Sequence, residues 1–271
     1  MGGFHAGELA VQRRAGVEDQ ASRLTGMLAP ADLRGGLGQF LAGRTYAALT
    51  ARDRDGHLWV SPLTGEPGFL AAEGPTRLRI AAAPDPGDPL HGVAPGQRVG
   101  LIAIEYVARR RARINGRLVE AGDDQLVVEA EEAYGNCPQY IPPRPLRLAA
   151  RDEALSVRAR LDDAAAELVG SVDTFVLGTT HAERGSDASH RGGPPGFLRV
   201  ESPTRLSWDD LPGNQMFNSL GNLAVDPAAA LLLVDPVSGS PLQLSGRAEV
   251  DWDVPGSATG RRVVFDVISV A

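Results

Sequence analysis

The chain contains no lysine: all 27 of its basic residues are arginine, a bias from which no function follows. Cysteine is nearly as scarce. Cys137 stands alone in 271 residues, which excludes an intrachain disulfide and a thiolate metal cluster. Positive charge is in deficit, and a formal net charge of −7 disfavours general nucleic-acid binding, which needs a basic face to neutralise phosphates. No apolar run is long enough to cross a bilayer. The N-terminus MGGFHAGELAVQRRAGV lacks the apolar centre of a secretory signal. The five histidines (His5, His57, His91, His181 and His190) show no metal-ligand spacing, and no Gly-x-Ser-x-Gly elbow presents a nucleophilic serine. The expectation is a cytoplasmic protein with no membrane, metal or nucleic-acid partner.

What is present points to a turn-rich fold. There are 32 glycines and 20 prolines, and the 43% hydrophobic content suffices for a core. The length suits one large or two ordinary domains. The clearest signal is an echo. Ser61–Leu78 (SPLTGEPGFLAAEGPTRL) and Ser189–Leu206 (SHRGGPPGFLRVESPTRL) lie 128 residues apart and match at eleven of eighteen positions without a gap. At an offset of 130, Gly100–Arg117 lies over Ala230–Arg247 with both apolar runs and the final Gly-Arg in step. One structural unit is written twice.

Local patterns give the units their shape. Phe4–Gly26 reads as a peripheral amphipathic helix, with Leu9, Val11 and Val17 covering a core. Ala31–Leu41 is a second short helical pattern, and its Leu33–Leu41 part is repeated at Leu161–Val169. Each unit then carries short strand candidates at close spacing, as a small antiparallel barrel would. In the first unit these include Tyr46–Thr50, Arg98–Tyr106 and Ala108–Ile114, with Asn115-Gly116 as a turn signal. Leu148–Val169 reads as a mostly helical link. His181–Pro195 reads as a long polar hairpin, and Asn214–Val225 as a helix capped by Asn214. The expected organisation is a helical arm (1–30), a first barrel (31–145), a linker (146–165) and a second barrel (166–271).

Two stretches carry candidate chemistry. Asp187–Gly193 (DASHRGG) packs a serine, a histidine, an arginine and two glycines together. It suits an anion cradle, in which the arginine fork, serine hydroxyl and backbone amides converge on phosphate oxygens. It equally suits a solvated hairpin tip, which the stretch alone favours. In Pro212–Leu223, Asn214, Asn218, Ser219 and Asn222 fall at helical spacing on one face. They suit either a polar ring around a ligand or capping and interhelix hydrogen bonds. The first unit does not reproduce this segment, which suggests one functional and one structural half. Arg109–Arg113 reads as an exposed basic edge, and Cys137 as either a reactive thiol or, more ordinarily, a small buried hydrophobe.

These motifs together resemble the pyridoxamine 5′-phosphate oxidase-related flavin-binding proteins: S-x-R-G-x-x-P-G-F, then T-R-L, then P-G-N-x-x-x-x-S-L-x-N-L, then D-P and G-R-A. HAGELAVQRRAGV and YGNCPQYI resemble a tandem bacterial subgroup of that superfamily. The resemblance implies a mainly β chain with flanking helices, a tandem FMN-binding split barrel made of two six-stranded antiparallel Greek-key barrels. It implies FMN in a groove between barrels, beside Ser189, His190 and Arg191, with Gly196 and Phe197 under the ring. Asn214, Asn218, Ser219 and Asn222 would hold ribityl or ring atoms, Arg247 would lie nearby, and Asn136, Cys137 and Tyr140 would reach in from the first half. In relatives a basic residue often sits near the P-G-N motif, where this chain has Gln215-Met216, and their C-termini usually run further. The implied function is an FMN-dependent oxidoreductase moving electrons between FMN and a reduced nicotinamide or organic substrate. The alternatives are a non-catalytic flavin-binding or storage protein, or a deazaflavin or haem ligand in the same groove. Pairing of two chains into a homodimer stays open.

Overall fold

Each half of the chain folds into one seven-stranded antiparallel sheet, and the two sheets have the same strand order. The computed structural model describes residues 3–135, 138–149 and 156–271. In the first half the strands are β1 (Tyr46–Arg52), β2 (Leu58–Thr64), β3 (Leu70–Ala72), β4 (Arg77–Ile80), β5 (Arg98–Glu105), β6 (Arg110–Ala121) and β7 (Leu126–Gly135). They lie in the order β2-β1-β5-β6-β7-β4-β3. The second half has β8 (Thr174–His181), β9 (Gly185–Gly192), β10 (Arg199–Ser202), β11 (Arg205–Asp209), β12 (Ala228–Val234), β13 (Pro241–Trp252) and β14 (Arg261–Val270). Their order, β9-β8-β12-β13-β14-β11-β10, is the same Greek-key path. This is the tandem split-barrel architecture. Its strand count exceeds the expected six per unit by the short edge strands β3 and β10, of three and four residues.

The duplicated Gly-Arg has a steric origin. β6 and β13 are both twelve-residue strands, and each slips register at the same place, between Asn115 and Gly116 and between Ser245 and Gly246. A Cβ on Gly116 would meet the Glu129 carbonyl oxygen at 2.1 Å, and one on Gly246 would meet that of Asp266 at 2.1 Å. Asn115-Gly116 is therefore a bulge inside a continuous strand rather than the expected turn, since glycine also serves where a bulge brings backbones together.

Sequence runs without polar alternation mark strands that are buried on both faces. On β1, Ala47, Leu49 and Ala51 fill the first barrel, while Tyr46 and Ala48 face the other half. On β12, Ala229, Leu231 and Leu233 fill the second barrel, while Ala230 and Leu232 face back. The two barrels thus share a third apolar cluster, built from Ile102, Ile104, Val176 and Ala188 among others. It holds them as one body.

The helices depart from expectation in extent. The N-terminal stretch is broken into α1 (Ala6–Ala15), α2 (Glu18–Ser22) and a 3₁₀ turn at Thr25–Leu28, because Gly16 caps α1 in the left-handed region. α3 (Gly36–Ala42) forms despite its glycines, and α4 (Asp163–Ser171) repeats it. Part of the linker expected as helix over Leu148–Val169 lies outside the described residues; among the described ones Arg158 bridges to Val270, and helix begins where Asp162 caps Ala165. α5 (Asn218–Leu223) starts later than Asn214, since Gln215 and Phe217 have φ of +62° and +60°.

The arm packs by a polar and glycine-lined face. Leu9 is exposed, whereas Gly7, Glu8, Val11 and Gln12 are buried. A Cβ on Gly7 would sit 2.1 Å from the Gly221 carbonyl oxygen, and one on Gly221 would sit 2.6 Å from the Glu8 backbone nitrogen. α1 and α5 therefore touch backbone to backbone. Gly221→Ala is expected to cost about 1–3 kcal/mol by overpacking this crossing. A denaturant midpoint equal to that of the unmutated chain would show that the helices can separate freely.

Candidate functional site

A cavity of about 350 Å³ opens where the two halves meet. Four arginines (Arg111, Arg113, Arg191 and Arg261) and two aspartates (Asp209 and Asp210) line it, beside an apolar wall that includes Trp208, Met216 and Phe217. Both repeats build it. β6 and β7 supply Arg111, Arg113 and Tyr134, while β9, the 209–217 loop and α5 supply most of the rest.

The stretch read as a polar hairpin is the strand β9, with Ala188 paired to Gly178 in the middle of β8. Asp187, Ser189 and His190 are only 1%, 5% and 4% exposed. They are polar because they face the first repeat across the inter-barrel seam, rather than water. Asp187 accepts from Arg113 Nε at 2.9 Å, from Asn115 Nδ2 at 3.3 Å and from Ser219 Oγ at 3.3 Å. The Arg113–Asp187 ion pair, with side chains 7% and 2% exposed, ties β6 to β9 at the cavity floor. The basic edge expected at Arg109–Arg113 is therefore an inward-facing contact at Arg113, and the expected division into a functional and a structural half does not hold.

His190 is neutral and fully engaged. Its Nδ1 lies 2.9 Å from Arg111 Nη1, which can only donate, so Nδ1 accepts and Nε2 carries the proton toward Thr174 Oγ1 at 2.6 Å. Thr174 in turn donates to the Arg191 carbonyl at 3.2 Å. Burial, and then the charges of Arg111 and Arg191, hold the imidazole well below its ordinary pKa. Arg191 is different. Among the described residues its one side-chain hydrogen bond is to Ser189 Oγ at 3.2 Å, it makes no ion pair, and its Nε is buried without a partner. This guanidinium is a cation with donors to spare.

Arg261 forms the opposite wall. It donates to Asp210 Oδ2 at 2.9 Å, and its guanidinium carbon lies 4.9 Å from the Phe217 ring centroid and 5.8 Å from that of Trp252. Strained backbone gathers here: Tyr140, Gln215 and Phe217, three of the five non-glycine residues with positive φ among those described, line the cavity. The Tyr140 hydroxyl donates to the Pro212 carbonyl at 3.1 Å and ties the link between the barrels to the 209–217 loop.

Of the residues expected at the site, Ser189, His190, Arg191, Phe197, Asn214, Asn218, Ser219 and Tyr140 line the cavity. Three do not. Gly196 forms the turn before Phe197 with φ +83°, as Gly68 does in the first repeat with φ +99°. Arg247 is exposed on β13. Asn222 points away, donating to Thr179 Oγ1 at 3.0 Å and lying 3.1 Å from His5 Nε2. Asn136 and Cys137 lie outside the described residues. Arg111, Arg113, Tyr134 and Arg261 were not expected. Their only sequence signal is polarity on strands whose partner comes from the other repeat or a distant loop.

The strand order defines an equivalent groove on the opposite side, and it is filled. At the sequence offsets of the repeat, Gln243 stands for Arg113, Ser61 for Ser189 and Leu63 for Arg191. Gln243 Nε2 donates to the Val60 carbonyl at 2.9 Å and to Ser61 Oγ at 3.0 Å, and Ser61 donates to Asp88 Oδ1 at 2.5 Å. Gln243, Ser61 and Leu63 are 0%, 0% and 1% exposed. One groove keeps its cations, and the other has become core.

The N-terminal arm abuts the open groove. Val17 lines it, Gln12 donates to the Met216 carbonyl at 3.0 Å, and Asn218 donates to Glu8 Oε1 at 3.2 Å. Burial raises the Glu8 carboxyl from 4.5 to about 7 and lowers His5 from 6.5 to about 4. Between pH 4.5 and 7 the folded chain holds a Glu8 proton that the unfolded chain has released, so this group makes stability fall as pH rises. His5 acts oppositely: its folded form is neutral down to about pH 4, so its contribution is lost as pH falls from 6.5. Glu8→Gln removes only the first effect. Its stability relative to the unmutated chain is expected to climb between pH 4.5 and 7, by on the order of 3 kcal/mol. Denaturant melts across that range check it, and a difference independent of pH would place an ordinary carboxylate at Glu8.

No family model matches the chain, and no curated protein does. Three solved structures are similar over about two fifths of it. One from Lactobacillus delbrueckii, described as a putative pyridoxamine 5′-phosphate oxidase, is 16% identical over 41% of this chain and 93% of its own, with a TM-score of 0.35. An F420 reductase is 15% identical over 41% and 97%, with a TM-score of 0.30. HutZ of Vibrio cholerae, described as a haem storage protein, is 12% identical over 40% and 89%, with a TM-score of 0.26.

Proposed function

We propose that this chain binds FMN in the open inter-repeat groove and works as a flavin-dependent oxidoreductase. The observation that carries the reading is Arg191, a half-buried arginine whose buried Nε has no partner among the described residues, in a cavity with an apolar wall. A phosphorylated planar ligand needs that pairing of an anion cradle and an apolar slot. The residues present fit the group. Arg191, Ser189 and Arg111 would hold the phosphate, and Trp208, Met216 and Phe217 would line the ring. When bound, FMN supplies the electron-accepting ring, taking a hydride from a reduced nicotinamide or an organic donor.

The chain's own residues orient the ligand. His190 takes up no proton, because burial and two arginines disfavour its cation; it positions Arg111 and Thr174 instead. A haem reading is less well served, because both nitrogens of the one lining histidine are already engaged.

The absorbance spectrum of the purified protein, with mass analysis of ligand released on denaturation, tests the reading. Flavin bands and one FMN per chain support it, and bleaching by a reduced nicotinamide with recovery on adding an acceptor supports the enzyme. Bound flavin that no donor reduces would leave a storage or carrier protein. Failure to take up added FMN would end the flavin reading.

A further inference from the structure

Tyr134 sits near the end of β7 and faces Arg113 across the β6–β7 ladder. It is 7% exposed and lines the cavity, and the Arg113 guanidinium carbon lies 5.5 Å from its ring centroid. Its hydroxyl is buried and has no hydrogen-bond partner among the described residues. Burial pushes the phenol well up, so it stays neutral and can donate. The carboxylates that act on it electrostatically, Asp187, Glu132 and Glu8, do not reach it. A phenylalanine would fill the same space without leaving a buried polar group unsatisfied, which is costly in the free protein. Local arrangements that disfavour the free protein mark functional positions.

We propose that Tyr134 is a ligand-recognition residue supplied by the first repeat, its O–H donating to an electron-rich acceptor on the ring of the bound ligand. The nearby Arg113 cation favours such an acceptor over a donor. With FMN as ligand, the acceptor is the dicarbonyl edge of the isoalloxazine. That identity rests on the flavin reading; the role of Tyr134 rests on the cavity.

Tyr134→Phe separates the possibilities when measured in two ways on the full chain. The ligand-free protein is expected to melt about 2–4 °C higher, because an unsatisfied hydroxyl has gone. Titration with FMN is expected to give roughly ten-fold weaker binding. A lower melting temperature would show that the hydroxyl serves the protein, and unchanged affinity would show a packing role; either overturns the proposal. Haemin is titrated in parallel. Uptake of haemin in place of FMN by the unmutated protein, with weaker uptake by the variant, would sink the flavin reading and keep Tyr134 at the ligand. Uptake of neither would overturn both.

Discussion

Replacing Arg191 by alanine is expected to weaken FMN binding by roughly 10- to 150-fold, the range spanned by a lost hydrogen bond to a charged group. The expectation follows from how little the protein itself asks of this side chain. Arg113 is held by Asp187, and Arg261 by Asp210, so their charges are compensated within the chain. Among the described residues Arg191 has one hydrogen-bond partner, Ser189 Oγ, and Asp210 and Asp187 act on its charge only through space. Removing it therefore costs the folded protein little and the anionic ligand much. Fluorescence titration of the ligand-free variant measures the effect. Arg77→Ala is the control: Arg77 lies exposed on β4, paired with Glu73 and Glu120, and flavin affinity should not move. Equal affinities in all three proteins would remove Arg191 from the anion cradle.

The largest loss of stability is expected from Asp187→Ala. This carboxylate accepts from three side chains, two of them on the first repeat, and its removal leaves the Arg113 charge buried without compensation. Breaking one partner of a buried pair costs about 3–5 kcal/mol, so the melting temperature should fall by about 10 °C. Replacing Arg113 by methionine and Asp187 by leucine together should recover much of it, since an apolar pair leaves no orphaned charge. A single variant as stable as the unmutated chain would mean that water reaches Arg113 from the cavity and solvates it.

The fold was legible because the repeat encodes backbone geometry. Gly68 and Gly196 recur since both turns need positive φ, and Gly116 and Gly246 recur since both bulges press on a carbonyl. Such needs are local, so they survive in the sequence wherever the unit is copied. The site was legible in part. His190 and Arg191 stand out as polar residues opposite the apolar Pro62 and Leu63 of the first repeat. They read as a solvated tip because polarity on a strand usually signals water, whereas here it faces the other barrel. Arg113 meets Asp187 across 74 residues, and Arg111 meets His190 across 79. No local pattern records such a meeting. Asn222 misleads for the opposite reason: it shares a helix face with Asn218 and Ser219, yet its partners are the arm and β8.

The filled groove has a consequence for how such a protein can change. In a symmetric pair of identical chains, every interface substitution is made twice, once on each side of the axis. A leucine in place of the cavity-lining arginine would then fill both sides at once. Here the two sides are encoded separately. Leu63 could take the place that Arg191 holds opposite, and Gln243 the place of Arg113, with the open side untouched. Fusing the two units into one chain turns an all-or-nothing choice into two independent ones: one side is free to specialise in holding the body together, while the other stays open.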